Sequence, residues 1–168
     1  LLKLIPGIAP YLLGCAGALF LLFDLWRKRT GWWQHNFYRI FGRLLKSSEK
    51  EGGITGVTMF LITAAVISFI FPQKTAAAAL LILTFADPLA SLSGGIFPVK
   101  KIRGEKSLIG SLTFFLTSLL ILSLFFRQSI LYLSLVALSV TVAESFAADK
   151  LENFIIGATA AIMIALLL

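Results

Sequence analysis

An aspartate inside an apolar run is the feature of this sequence that most strongly suggests chemistry. Within a membrane-spanning helix, an acid such as Asp87 costs several kcal/mol unless it is paired. At helical spacing Ala90, Ser91 and Gly94 share its face, and this small, polar face suits the approach of a ligand or of another helix. Pro88 removes a backbone donor and should kink or open the helix beside the acid. The alternative is a purely structural pair between Asp87 and a Lys or Arg.

A cluster of cations directly precedes the next apolar run, and together they suggest a phosphate site. Ser107 is the expected start of a helix, where free backbone amides attract phosphate, and Gly110 would allow a phosphate or a neighbouring helix to approach. The run Gly104–Ser107 resembles the end of a P-loop but lacks the earlier glycine, so we exclude a P-loop. The alternative is a topology signal alone. The candidate phosphate-binding residues are Lys101, Arg103, Lys106, Ser107, Gly110 and Ser111.

A third group of polar residues joins the last two apolar runs. Glu144, Asp149 and Glu152 are expected on the same side of the membrane as Asp87, where the four carboxylates could share a divalent cation. Mg²⁺ prefers a few carboxylates together with phosphate oxygens. Alternatively, Asp149 and Glu152 are ordinary solvated loop residues, whereas Glu144 lies deeper.

The three groups combine acids for a metal with cations and helix-start amides for phosphates. The chemistry that needs this combination in a lipid-accessible setting is phosphoryl or nucleotidyl transfer between a cytoplasmic nucleotide and a membrane lipid. Metal ions that neutralise developing phosphate charge are the main catalytic device of such reactions.

The elements that must position these residues are transmembrane helices. The 168 residues are 58% hydrophobic with a mean hydropathy of +0.94, and long apolar runs alternate with short charged segments. We expect one all-α integral membrane domain over 1–168, a polytopic helix bundle. The six predicted spans are Leu4–Trp26, Gly53–Phe71, Thr75–Ile96, Ser107–Phe126, Ser129–Ala147 and Asn153–Leu168.

The distribution of charge predicts the orientation of the bundle. Twelve of the fifteen Lys and Arg residues lie in the first, third and fifth connections, which the positive-inside rule assigns to the cytoplasm. Only Lys3, Lys74 and Arg127 fall on the opposite side. All eight acids lie in or near the cytoplasmic ends, so polar groups do not continue across the membrane as a transporter would require. This polarity favours chemistry at one face.

Three further features of the sequence, a possible surface helix, the single cysteine and the single histidine, do not point to a catalytic role. The segment Trp32–Lys46 has apolar residues at helical spacing and predicts an amphipathic helix on the membrane surface, either a simple anchor or a gate for a lipid substrate. Cys15 is the only cysteine, which excludes a disulfide or cysteine-ligated zinc within the chain, and we interpret it as packing. His35 has no cluster of metal ligands around it.

The motifs resemble those of the CTP-dependent polyprenol and lipid kinase family, which includes dolichol kinase, phytol kinase and CTP-dependent diacylglycerol kinase and is related to phosphatidate cytidylyltransferases. The resemblance covers roughly residues 37–160. Asn153 belongs to it because many members have an Asp-Asn pair where this chain has Glu152-Asn153. The matching stretches are Phe41–Leu45 with Glu49, Thr55-Gly56, Phe85–Gly94, Glu105–Ser111 with Phe114 and Phe115, and Glu144 with Glu152-Asn153.

The resemblance implies a kinase that uses CTP and Mg²⁺, or another divalent cation, to phosphorylate a membrane lipid alcohol. Asp87 would hold the metal or CTP phosphate with help from Glu144, Glu152 and Asn153, and Lys106 would neutralise the transferred phosphates. Either Asp87 or Glu144 could accept the proton of the lipid hydroxyl. Asp87, Glu144 and Lys106 are thus the catalytic candidates. The candidate CTP-binding residues are Ser91, Gly94, Lys101, Arg103, Lys106, Ser107, Gly110, Ser111 and Asn153.

Two alternatives stay open beside the kinase. A phosphatidate cytidylyltransferase making CDP-diacylglycerol would need nearly identical parts, and a lipid or ion transporter would need polar residues on the far side. The expected partners are CTP, a lipid alcohol and the bilayer, without nucleic acid, and a homodimer is left open.

The chain departs from the family pattern at two points. Ala86 stands where the family usually has glycine, and the family's Arg-Lys…His element before these spans is not present. We therefore expect an N-terminal segment to precede Leu1.

Overall fold

The apolar runs of the sequence form helices, because a helix satisfies its backbone hydrogen-bonding groups within one segment. A computed structural model describes residues 7–29, 39, 54–97, 101–103, 106–147 and 151–168. The helices are α1 (Ala9–Arg29), α2 (Gly56–Ile70), α3 (Gln73–Leu81), a π-helical segment (Ile82–Ala86), α4 (Asp87–Ile96), α5 (Leu108–Phe125), α6 (Ile130–Phe146) and α7 (Glu152–Leu167).

The predicted all-α fold class is confirmed. Each predicted span overlaps a helix, and three segments of the described chain are long and apolar enough to cross a membrane: Ala9–Arg27, Gln73–Ile96 and Leu108–Phe125. Helices α2, α6 and α7 are also apolar but shorter, at 15, 17 and 16 residues. The predicted amphipathic helix Trp32–Lys46 falls outside the described residues, apart from Arg39.

The helices pack into a bundle in which α7 contacts α2, α3 and α6. Helix α5 lies between α4 and α6, and α1 packs along α2. Short links join α2 to α3 and α5 to α6. Near these links the Gln128 Nε2 donates to the Leu168 carbonyl at 3.3 Å, and Lys74 Nζ lies 4.5 Å from the centre of the Phe126 ring. These contacts lie at the end of the bundle opposite to Lys106, which is called the far end below.

The interior of the bundle combines many alanines with larger apolar side chains such as Phe114 and Leu122, and further large apolar side chains cover the outside. Leu116, Leu124 and Leu166 are more than half exposed on the surface. Small residues let helix backbones approach closely, and an apolar exterior is what a bundle surrounded by lipid requires. The fully buried side chains include Ala78, Ala79, Ile82, Val136, Ala137, Ala160 and Ala161.

The helical segment that carries Asp87 is irregular, as its proline predicts. The π-helical turn Ile82–Ala86 ends directly before Asp87, and Pro88 lies in the first turn of α4. Because proline has no backbone N–H and its ring clashes with the carbonyl four residues earlier, the regular hydrogen-bond pattern cannot continue through this point. The chain nevertheless continues as one helical segment from Gln73 to Ile96, and Asp87 stays partly buried in the bundle.

The basic segment before α5 forms a short antiparallel hairpin, which the sequence did not lead us to expect. Strand β1 (Lys101–Arg103) pairs with β2 (Lys106–Ser107), with Lys101 opposite Ser107 and Arg103 opposite Lys106. Strands of two or three residues are too short to show the alternating pattern by which strands are recognised. The hairpin brings Lys106 to the start of α5.

Candidate functional site

Three carboxylates from three helices converge at one end of the bundle. Asp87 begins α4, Glu144 lies in the last turn of α6 and Glu152 begins α7. One oxygen from each lies within 4.8 Å of the others. Glu144 and Glu152 are only 3% and 5% exposed, whereas Asp87 is partly buried. The predicted meeting of these acids is therefore observed, and the reading of Glu152 as a solvated loop residue is wrong.

The lengths of the helices explain why the acids meet. Asp87 lies fourteen residues after Gln73, and Glu144 lies fourteen residues after Ile130. Both helical segments start near the far end of the bundle, and fourteen residues rise about 21 Å in an α-helix. Asp87 and Glu144 therefore reach the same depth, and α7 returns from that depth with Glu152 as its first residue.

Lys106 lies between two of the acids. Its Nζ forms ion pairs with Oε1 of Glu144 and with Oε1 of Glu152, and its side chain is about one quarter exposed. Burial lowers the pKa of Lys106, but hydrogen bonds and charge from the two glutamates outweigh this and raise the pKa above its usual value. Lys106 therefore carries its positive charge at neutral pH.

The donor set fits a divalent cation. Among these four side chains, three carboxylates face one ammonium, which leaves two negative charges when all are ionised. Carboxylate oxygens from separate helices are the ligands that Mg²⁺ takes together with phosphate oxygens. Asp87, Glu144 and Glu152 are the residues that would hold such an ion. Asp149, the fourth predicted ligand, lies outside the described residues.

Ser107 is the N-cap of α5, at the predicted start of this helix, and its side chain also lies against α4. Its Oγ accepts a hydrogen bond from the Gly110 amide at 3.1 Å, and the side chain is 5% exposed. A Cβ on Gly94 would lie 2.5 Å from this Oγ, and a Cβ on Gly110 would lie 2.9 Å from the Ala90 carbonyl oxygen. The glycines therefore allow α4 and α5 to touch. Phosphate binding by Ser107, Gly110 and Gly94 stays a prediction.

We expect Gly110→Ala to destabilise the protein by about 1–3 kcal/mol, because the new methyl group overlaps backbone rather than a movable side chain. The control is Gly95→Ala, where a Cβ has no neighbour within 4 Å and alanine favours the helix. Thermal unfolding in detergent measures both. Equal melting temperatures for the two variants would contradict the close contact of α4 and α5.

Ser145 is a member of the site that sequence reasoning missed. Its Oγ lies 3.2 Å from the Oγ of Ser111 and 3.4 Å from Oε2 of Glu144, and it also donates to the Thr141 carbonyl at 3.0 Å. Ser145 therefore links Glu144 to Ser111 on α5. The only sequence signal was its place directly after Glu144, and a serine in an apolar run is too common to single out.

The other predicted binding residues are distributed around the cluster. Asn153 donates from Nδ2 to the Gly56 carbonyl at 3.0 Å, so it joins α7 to the first turn of α2. Ser91 is exposed on α4, and Ser111 lies one turn into α5. Lys101 and Arg103 lie in β1, paired with β2. Binding of CTP by these residues stays a prediction.

The chain was also compared with known proteins. No protein-family model matches it, and no curated protein or solved structure matches it either.

Proposed function

We propose that this protein is a CTP-dependent kinase that phosphorylates the hydroxyl group of a membrane lipid alcohol of the polyprenol, phytol or diacylglycerol type. The observation that carries the proposal is the convergence of Asp87, Glu144 and Glu152 with Lys106 at one end of an apolar helix bundle. Buried acids are expensive in such a bundle, and the Lys106 ammonium offsets only one of the three negative charges when all the groups are ionised. Metal-dependent phosphoryl transfer accounts for both the acids and the lysine.

The reaction transfers the γ-phosphoryl group of CTP. The lipid hydroxyl oxygen forms a bond to the γ-phosphorus, the bond from that phosphorus to the bridging oxygen breaks, and CDP leaves with the electron pair. A bound divalent cation would neutralise charge on the phosphates. Lys106 donates to phosphate oxygens from beside the carboxylates. The hydroxyl proton passes to Asp87 or Glu144, whichever carboxylate has an oxygen directed at the alcohol.

The proposal includes a multi-pass topology in which all six helical segments cross the membrane and the site faces the cytoplasm. Twelve of the fifteen cations lie in the connections on the side of Lys106, and the link residues Lys74 and Arg127 lie on the other. A lipid alcohol keeps its hydroxyl group at the membrane surface. The lipid hydroxyl group would reach the site from the bilayer beside the bundle, and CTP would reach it from the cytoplasm.

The test supplies the purified protein with Mg²⁺, a panel of lipid alcohols, phosphatidate and CTP labelled at either the α- or the γ-phosphorus. We expect γ-label in a lipid monophosphate and α-label in CDP. Pyrophosphate with α-label in a CDP-lipid would instead identify the cytidylyltransferase. Faster reaction with ATP than with CTP would contradict the proposed donor, and no label transfer to any lipid would contradict both activities.

A further inference from the structure

A second buried polar cluster lies where α1 meets the start of α2. Asp24 Oδ2 accepts hydrogen bonds from the Thr55 amide at 2.8 Å, the Thr55 Oγ1 at 3.0 Å and the Thr58 Oγ1 at 2.7 Å. Its Oδ1 lies 3.3 Å from Nη2 of Arg27. Asp24 and Arg27 are each 1% exposed. An acid thus connects the last turns of α1 to the cap of α2.

This cluster contrasts with the rest of the α1–α2 contact, which is apolar. A groove between the two helices is lined by residues such as Gly17, Leu21 and Ile62. Burying an ion pair costs desolvation energy, and apolar side chains in its place often stabilise a protein equally well or better. Removing one partner of a buried ion pair, however, is strongly destabilising, because the other charge is left uncompensated. A change at Asp24 should therefore disturb the start of α2 and the residues that contact it.

The start of α2 supports the candidate site directly. Thr55 is the N-cap of α2, and the next residue, Gly56, accepts a hydrogen bond from Asn153 Nδ2 at 3.0 Å. Asn153 follows Glu152, which pairs with Lys106. Hydrogen bonds and single peptide links therefore run from Asp24 to a carboxylate of the site.

We propose that Asp24 is a positioning residue for Glu152. Its hydrogen bonds with Thr55 and Thr58 fix the first turn of α2. The hydrogen bond from Asn153 to Gly56 in turn fixes the first turn of α7, which carries Glu152. The inference rests on the proposed function, since Glu152 is taken as a metal ligand. Groups that orient a ligand typically change metal affinity 10- to 100-fold when removed. Loss of the Asp24 contacts should therefore weaken metal binding without touching a ligand.

The test compares two matched substitutions on α2, Thr58→Val and Thr63→Val, together with Asp24→Asn. Thr58 and Thr63 are both fully buried, but Thr63 Oγ1 has no hydrogen-bond partner among the described residues. Hydrogen exchange of the amides of 152–156 and Mn²⁺ binding without nucleotide are measured in lipid nanodiscs. Thr58→Val keeps the test decisive if Asp24→Asn does not fold.

We expect Thr58→Val and Asp24→Asn to speed exchange in the first turn of α7 and to weaken Mn²⁺ binding by about tenfold or more, with Thr63→Val unchanged. Unchanged exchange in that turn would overturn the positioning role. Equal effects from the two threonine substitutions would also overturn it, because a general loss of packing would then explain both. Faster exchange in a protein that binds no Mn²⁺ even as wild type would support the positioning role and remove the proposed metal site.

Discussion

Replacing Asp87 with asparagine should lower CTP-dependent phosphorylation of the lipid alcohol by about 1,000-fold or more while the bundle still folds. Asparagine has nearly the same shape, but it removes one of three carboxylates that lie within 4.8 Å of one another. Metal ions contribute several kcal/mol of transition-state stabilisation in such reactions, and a loss of about 4 kcal/mol is about a 1,000-fold loss of rate. The measurement is the transfer of γ-label from CTP to lipid.

The control for Asp87→Asn is Thr84→Val, one helical turn earlier. Thr84 is exposed, and its hydroxyl bonds only to the Leu80 carbonyl of its own helix among the contacts described here. Its replacement should leave turnover within about twofold of wild type, since surface substitutions are usually near neutral. Turnover that survives Asp87→Asn, or falls equally in both variants, would contradict the role given to the acid.

Replacing Lys106 with glutamine should have two opposite effects. Turnover should fall by about 100-fold or more, because a charged donor to the phosphates is lost. Mn²⁺ should bind more tightly without nucleotide, because the Lys106 ammonium occupies the Glu144 and Glu152 oxygens that a metal ion would use. The control is Lys74→Gln at the far end of the bundle, which should change neither quantity.

Both effects of Lys106→Gln are measurable on one preparation, by γ-label transfer and by the electron paramagnetic resonance signal of unbound Mn²⁺. Weaker Mn²⁺ binding in this variant would mean that the lysine supports the carboxylates rather than competing with a cation. Unchanged turnover would remove Lys106 from the phosphate site.

Much of the arrangement follows from the sequence. Apolar runs of the right length identify the helices, and an acid such as Asp87 inside one is so costly that a partner or ligand had to be expected. Glu144 and Glu152 could be placed near it because charge distribution assigned their helix ends to the same side. Ser107 was recognisable as a helix start, since serine at that position caps the amide three residues later, here that of Gly110.

The parts that the sequence did not reveal depend on which helices are neighbours. Asp24 pairs with Thr55 and Thr58, 31 and 34 residues away, and Ser111 pairs with Ser145, 34 residues away. Local patterns carry no information about such pairs, because each needs the packing of two helices. Asp24 also lies close to basic residues at the end of an apolar run, where an acid is ordinarily solvated and has no desolvation cost. Its sequence position therefore gives no sign of a buried role.

The most direct measurement of the central claim is Mn²⁺ binding in the presence of CTP, followed by electron paramagnetic resonance on purified protein in nanodiscs. Wild type, Asp87→Asn, Glu144→Gln and Glu152→Gln are compared, with Thr84→Val as the control. If carboxylates from three helices form one metal–nucleotide site, wild type and the control bind Mn²⁺, and each carboxylate variant binds at least about tenfold more weakly. Equal affinity in all five proteins, or binding to none, would contradict the site.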